Sequence, residues 1–128
     1  MAETEKITIN LSVVDLGQVD LLVEQGFYSS RSDLIRTAIR SQLSTHADTV
    51  QQAVVRKQYV VGICGYSRKD LEFQRADSQK LDIRVVGMVH IANDVTPELA
   101  LDTIESLQVF GVLRASPELK EALADRIH

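Results

Sequence analysis

The tightest constraint on how this chain can fold is a short stretch near its start, EKITINLS at positions 5–12. It alternates strictly. Ile7, Ile9 and Leu11 fall on one face of a strand, and Thr4, Lys6, Thr8 and Asn10 fall on the other. A half-apolar strand needs a partner for its edge and a cover for its face. The next two stretches are helical in period, VVDLGQVDLLVEQG and then SRSDLIRTAIRSQL, so the strand has no neighbour to join. The economical solution is pairing with the same stretch of a second chain. That gives a two-stranded ribbon with Ile7, Ile9 and Leu11 inward and Lys6, Thr8 and Asn10 outward, twice over.

The helical stretches fit this arrangement. Ser12 is placed to cap the first, with Asp15 three residues on as the reciprocal capping partner. Leu16, Val19, Leu22 and Val23 form its apolar stripe, Gly26 suits a left-handed helix end, and Phe27 is expected to cover the junction. Ser30 is placed to cap the second helix with Asp33 reciprocal, leaving free N–H groups and the positive end of the helix dipole as an anion site. Leu34, Ile35, Ala38, Ile39 and Leu43 give that helix a wide apolar face. Such a face suits an intertwined core, with Leu34, Ile35 and Ile39 joining Ile7, Ile9 and Leu11. A third helical stretch, THADTVQQAVVRKQ, has Ala47, Val50, Ala53 and Val54 at helical spacing, with His46 at the hinge.

The order and spacing of KITINLS, the turn EQGFYSSRSD and the helix DLIRTAIR resemble the ribbon–helix–helix DNA-binding proteins of the CopG, Arc and MetJ type. The resemblance covers residues 5–43, about a third of the chain. It implies that an antiparallel ribbon enters the major groove, where Lys6, Thr8 and Asn10 meet base edges. It also implies that the second helix start, at Ser30, Arg31 and Ser32, clamps a phosphate.

Charge runs against a duplex binder, which ordinarily shows a basic footprint. Residues 1–44 carry four basic and six acidic side chains, a net −2, and residues 81–128 carry four basic against eight acidic. The local arrangement matters more than the sum, since Lys6 lies on the ribbon and Arg31 at a helix start. Modest affinity per dimer and paired sites are therefore expected. The single cysteine, Cys64, permits no internal disulfide and suits a reducing cytoplasm. No apolar run is long enough for a membrane span, and the start lacks a signal peptide's features.

The second half holds a weak repeat: VVGICGYSRKDLE, VVGMVHIANDVTPELA and VFGVLRASPELKEAL. Each is a short apolar strand with glycine third (Gly62, Gly87, Gly111), then a turn, then a helix start. Ser67, Thr96 and Ser116 are the expected caps, with Pro97 and Pro117 in the first helical turn. Strands alternating with helices predict a compact α/β domain with a parallel sheet covered by helices; a short solenoid and a chance likeness between β–α units are the two readings of the repeat itself. No nucleophile–base pair, phosphate loop or dinucleotide fingerprint appears, and Cys64, His90 and His128 are too scattered for a metal site.

The sequence thus predicts an α+β chain in three parts. Residues 1–44 form the DNA-binding and dimerisation domain, 45–57 a connecting helix, and 58–128 an α/β domain for oligomerisation or for binding an effector or partner. The expected function is sequence-specific transcriptional regulation, as a repressor, by a cytoplasmic homodimer or dimer of dimers. No catalysis, cofactor, metal or membrane association is expected. The alternative is an antitoxin whose second half binds its toxin. Antitoxin tails are usually polar and disordered before binding, whereas this one is apolar and patterned.

Overall fold

A computed structural model describes residues 3–128. The arm expected at residues 1–4 falls partly outside them. The chain divides into two compact units, Met1–Gln52 and Ala53–His128.

In the first unit, residues 3–12 belong to no helix or strand. The strand read from their alternation is not formed within one chain, because the chain offers it nothing to pair with. Helix α1 (Val13–Glu24) comes next, then α2 (Arg31–Thr45). Ser12 caps α1 by accepting from the Asp15 N–H at 3.1 Å, and Gly26 ends it at φ +87°, a conformation that glycine adopts without steric cost. Neither helix has a buried residue. Phe27, expected to cover the junction, is 71% exposed. A hairpin of two helices has too little surface to enclose it.

Helix α3 (Ala47–Lys57) is separate from α2, with His46 capping the end of α2. Arg56 and Lys57 close α3, where their charge complements the helix dipole. Gln58 then takes φ +58° and turns the chain into the sheet.

The second unit is three strand–helix units. Strand β1 (Val60–Tyr66) is followed by α4 (Arg68–Ala76), β2 (Leu81–Ile91) by α5 (Pro97–Thr103), and β3 (Ile104–Arg114) by α6 (Pro117–Ala122) and a 3-10 turn at Ala124–Arg126. The sheet is all parallel in the order β1-β2-β3. Each cap expected from the sequence forms. Ser67 accepts from the Asp70 N–H at 3.1 Å in a full reciprocal box. Thr96 and Ser116 each accept at 3.2 Å from Leu99 and Leu119, with Pro97 and Pro117 in the first turn. The core lies between the sheet and its helices: Ile83, Val85, Val89 and Ile91 of β2 pack with Leu71, Leu99, Ile104, Leu107, Leu119 and Leu123. Arg126 fastens the last turn by donating to the Leu101 and Ile104 carbonyls at 2.6 and 2.7 Å.

The three repeat glycines meet in one row across the sheet, Gly62 beside Gly87 beside Gly111. All three have positive φ, at +143°, +141° and +127°. A Cβ on Gly87 would fall on the Gly62 carbonyl, and one on Gly111 would fall on the Gly87 carbonyl. The repeat is therefore a steric requirement in the interior of the sheet, where backbone approaches backbone too closely for a side chain.

Candidate nucleic-acid interface

The side chains that the alternation placed inward are open to solvent in the single chain. Ile7 is 71% and Ile9 56% exposed, and Leu11 and Ile39 are exposed as well. Leu34 and Ile35 are half-buried. A cleft of about 430 Å³ lies between this segment and α2, lined by Glu5, Lys6, Ile7, Ser32, Ile35, Arg36 and Ile39. Apolar side chains thus stand on both walls of a cleft that the chain does not fill. Lys6, Thr8 and Asn10 are all exposed.

The start of α2 is built as expected in one respect and differently in another. Ser30 caps it, accepting from the Asp33 N–H at 3.0 Å. Asp33, however, does not return the bond to Ser30. Its carboxylate accepts from the Ser29 N–H at 3.0 Å and the Ser29 hydroxyl at 3.2 Å, one residue further back. The extended Ser30 backbone, at φ −163°, accounts for the shift by carrying the Ser29 amide to the carboxylate.

Arg31 is engaged within the unit. Its Nε and Nη2 donate to the two carboxylate oxygens of Asp20 at 2.7 and 2.8 Å, a two-point clamp from α2 to α1. The hydrogen bond from Arg31 holds the Asp20 carboxyl below its usual range, with the guanidinium charge adding to the effect. The clamp is accordingly intact at neutral pH and is lost only as pH falls through that lowered value. The pair is exposed, so a competing phosphate can reach the same guanidinium. Sequence reading missed Asp20. The only signal was an acid and a base eleven residues apart across a glycine turn, which has no fixed geometry until the helices are placed.

Among the side chains weighed for chemistry in the second unit, Cys64 is half-buried in β1 against the core, and His90 is exposed in β2. A shallow cleft of about 340 Å³ opens where β1 and β2 end, lined by Gly65, Tyr66, Ser67, Asp70, His90 and Ala92. Burial pushes the Tyr66 hydroxyl up from its ordinary pKa. Among the described residues, no helix is long and apolar enough to cross a membrane.

No curated protein matches the chain, and no solved structure matches it. A family model does, the Ribbon-Helix-Helix transcriptional regulator family, over residues 2–120. The likeness therefore extends well beyond the first third of the chain to which KITINLS, the turn and DLIRTAIR had confined it. The repeats of the second half carry little signal on their own, since apolar strand–glycine–helix patterns recur in many α/β folds. With nearly the whole length matched, the chain belongs to the ribbon–helix–helix transcriptional regulators, whose members bind DNA, typically as dimers.

Proposed function

We propose that this protein is a sequence-specific repressor that reads the major groove with a ribbon made from residues 5–12 of two chains. The observation that carries the reading is the open apolar side of that segment. Ile7, Ile9 and Leu11 lie exposed beside a cleft whose other wall holds Ile35 and Ile39. Enclosing such side chains is worth about 1.5–3 kcal/mol each, and a second copy of the same surface supplies both the missing strand and the missing cover. In a ribbon so formed, the strand alternation assigns Lys6, Thr8 and Asn10 to the face opposite the core. Asn10 can pair with adenine, Lys6 with guanine, and Thr8 with either or with a thymine methyl. Ser30, Arg31 and Ser32, at a helix start, suit a phosphate and carry no sequence information. A dimer seated in the groove represses by occupying its site.

The antitoxin reading ranks second because the C-terminal unit has its own enclosed core, unlike a tail that orders only on binding. If an effector is bound, the cleft at Tyr66, Asp70 and His90 is the place where polar groups converge.

The test compares variants on preferred and random duplex across a salt series. Asn10→Ala is expected to relax preference at particular base pairs, by about 1–3 kcal/mol per half-site. Arg31→Ala should weaken all sequences alike and flatten the salt dependence by about one unit per protomer, so about two per dimer. Asp20 competes with phosphate for Arg31, so Asp20→Asn should act the other way on affinity, raising it several-fold for every duplex, while the salt slope stays close to that of the wild type because the same guanidinium meets the same phosphate. If Asn10→Ala and Arg31→Ala lower both affinities by one common factor, the ribbon is not the reading element. If Asp20→Asn leaves affinity unchanged, Arg31 serves only to join α1 and α2.

A further inference from the structure

In the second unit α4, α5 and α6 pack on one side of the parallel sheet. Its other side is apolar, and the unit covers just one end of it. The register aligns Val61, Val86 and Phe110 in one row and Ile63, Met88 and Val112 in the next. At the covered end, the Tyr59 ring meets Phe110 edge to face with centroids 5.5 Å apart, and Arg84 donates to the Lys57 carbonyl at 2.9 Å. Past that point Val61, Ile63 and Phe110 are 65%, 57% and 54% exposed. All-parallel sheets are ordinarily covered on both faces, and a contiguous apolar patch on a folded surface marks a contact site.

We propose that the same face of a second copy covers this one, so that the two sheets within a dimer pack face to face. Area and charge select this occupant. Three strands about 4.8 Å apart and five residues at about 3.3 Å rise span roughly 14 by 16 Å. That footprint is a few hundred Å², well short of the ~800 Å² per partner typical of a stable interface between free proteins. A face this small holds a partner that is already tethered, because tethering raises the effective concentration to about the millimolar range. The partner that the dimer brings is a second copy of this sheet. The face also asks for no opposite charge. Both of its rows are neutral; Arg84 at the border pairs with Asp82 at 2.9 Å in its own chain, and His90 and Arg114 lie beyond the second row. The inference rests on the dimer reading above for its tether, and the experiment separates the two.

In a full-length Cys64→Ser background, Met88→Cys places a thiol on the central strand, nearest any two-fold axis relating the two faces. Treated at micromolar concentration with a short bis-maleimide, which adds one thiol at each end and can bridge sheets packed ~10 Å apart, most of this variant should become a covalently linked dimer. Lys69→Cys, on the helical side in α4, should stay unlinked. Adding Ile63→Glu to Met88→Cys should cut linking at least tenfold while sedimentation still reports a dimer. Adding Ile9→Lys should abolish linking by removing the tether. If the chain sediments as a dimer and Met88→Cys stays unlinked, the face-to-face packing is wrong and the ribbon dimer stands. Linking that persists undiminished with Ile9→Lys upholds the sheet contact and refutes the ribbon as its tether. A wild-type chain that sediments as a monomer, together with Met88→Cys that stays unlinked, refutes both.

Discussion

Gly87→Ala is expected to destabilise the C-terminal unit by more than about 4 kcal/mol, a large part of the 5–15 kcal/mol typical of a domain. Two costs combine there. The backbone sits at φ +141°, where an L side chain adds about 1–3 kcal/mol of strain. The new methyl would also occupy the position of the Gly62 carbonyl, a backbone atom fixed by the β1–β2 ladder. The sheet must part or lose its register. Gly62→Ala is the matched control, because it shares the conformation at φ +143° but has nothing within 4 Å of a new Cβ. It should cost only the strain. For a unit of this size 1 kcal/mol moves the melting temperature by about 4–8 °C, so the two variants should differ by at least 10 °C or so in thermal unfolding followed by circular dichroism. Equal shifts would mean that conformation, and not the close approach of strands, explains the glycine row.

Ile9→Lys should have an effect as large on the other unit. Neither α1 nor α2 buries a residue in the single chain, so these helices lack the packing that ordinarily stabilises helices of twelve and fifteen residues. On the dimer reading, their stability comes from the partner. A lysine in the middle of the shared core is an unpaired buried charge and costs several kcal/mol. The variant should sediment as a monomer, lose helical signal from residues 13–45, and retain the melting transition of the C-terminal unit. A monomer with the N-terminal helices intact would show that α1 and α2 stand without a second chain.

Which features were legible in the sequence depends on the range of the interactions. The caps at Ser67, Thr96 and Ser116 act within one helical turn, so serine or threonine ahead of an apolar run was enough to find them. The glycine triplet was visible as spacing, although its cause, carbonyls approaching across the sheet, needs the register. The shift of Asp33 from Ser30 to Ser29 depends on the Ser30 backbone angles, which no residue type dictates. The Asp20–Arg31 clamp joins two helices and appears only once they are placed. The ribbon strand is a different case. Its alternation is plain in residues 5–12, but one chain cannot express it, because a strand is completed by its neighbour. The exposed second face of the sheet was equally hidden: Val61, Ile63 and Phe110 lie in short apolar runs, which do not tell a covered face from an open one until the helices are placed.

On the proposed reading, two copies of residues 5–12 read duplex DNA. Selection from a randomised duplex library with the full-length chain, beside a variant in which Lys6, Thr8 and Asn10 are all alanine, tests that directly. The wild type should enrich a motif of two half-sites related by a dyad, reflecting the two-fold symmetry of the ribbon. The triple variant should stay dimeric and hold duplex through phosphate contacts, yet enrich no motif. If a folded, dimeric wild type enriches no motif, or if the triple variant enriches the same one, residues 5–12 are not what reads DNA.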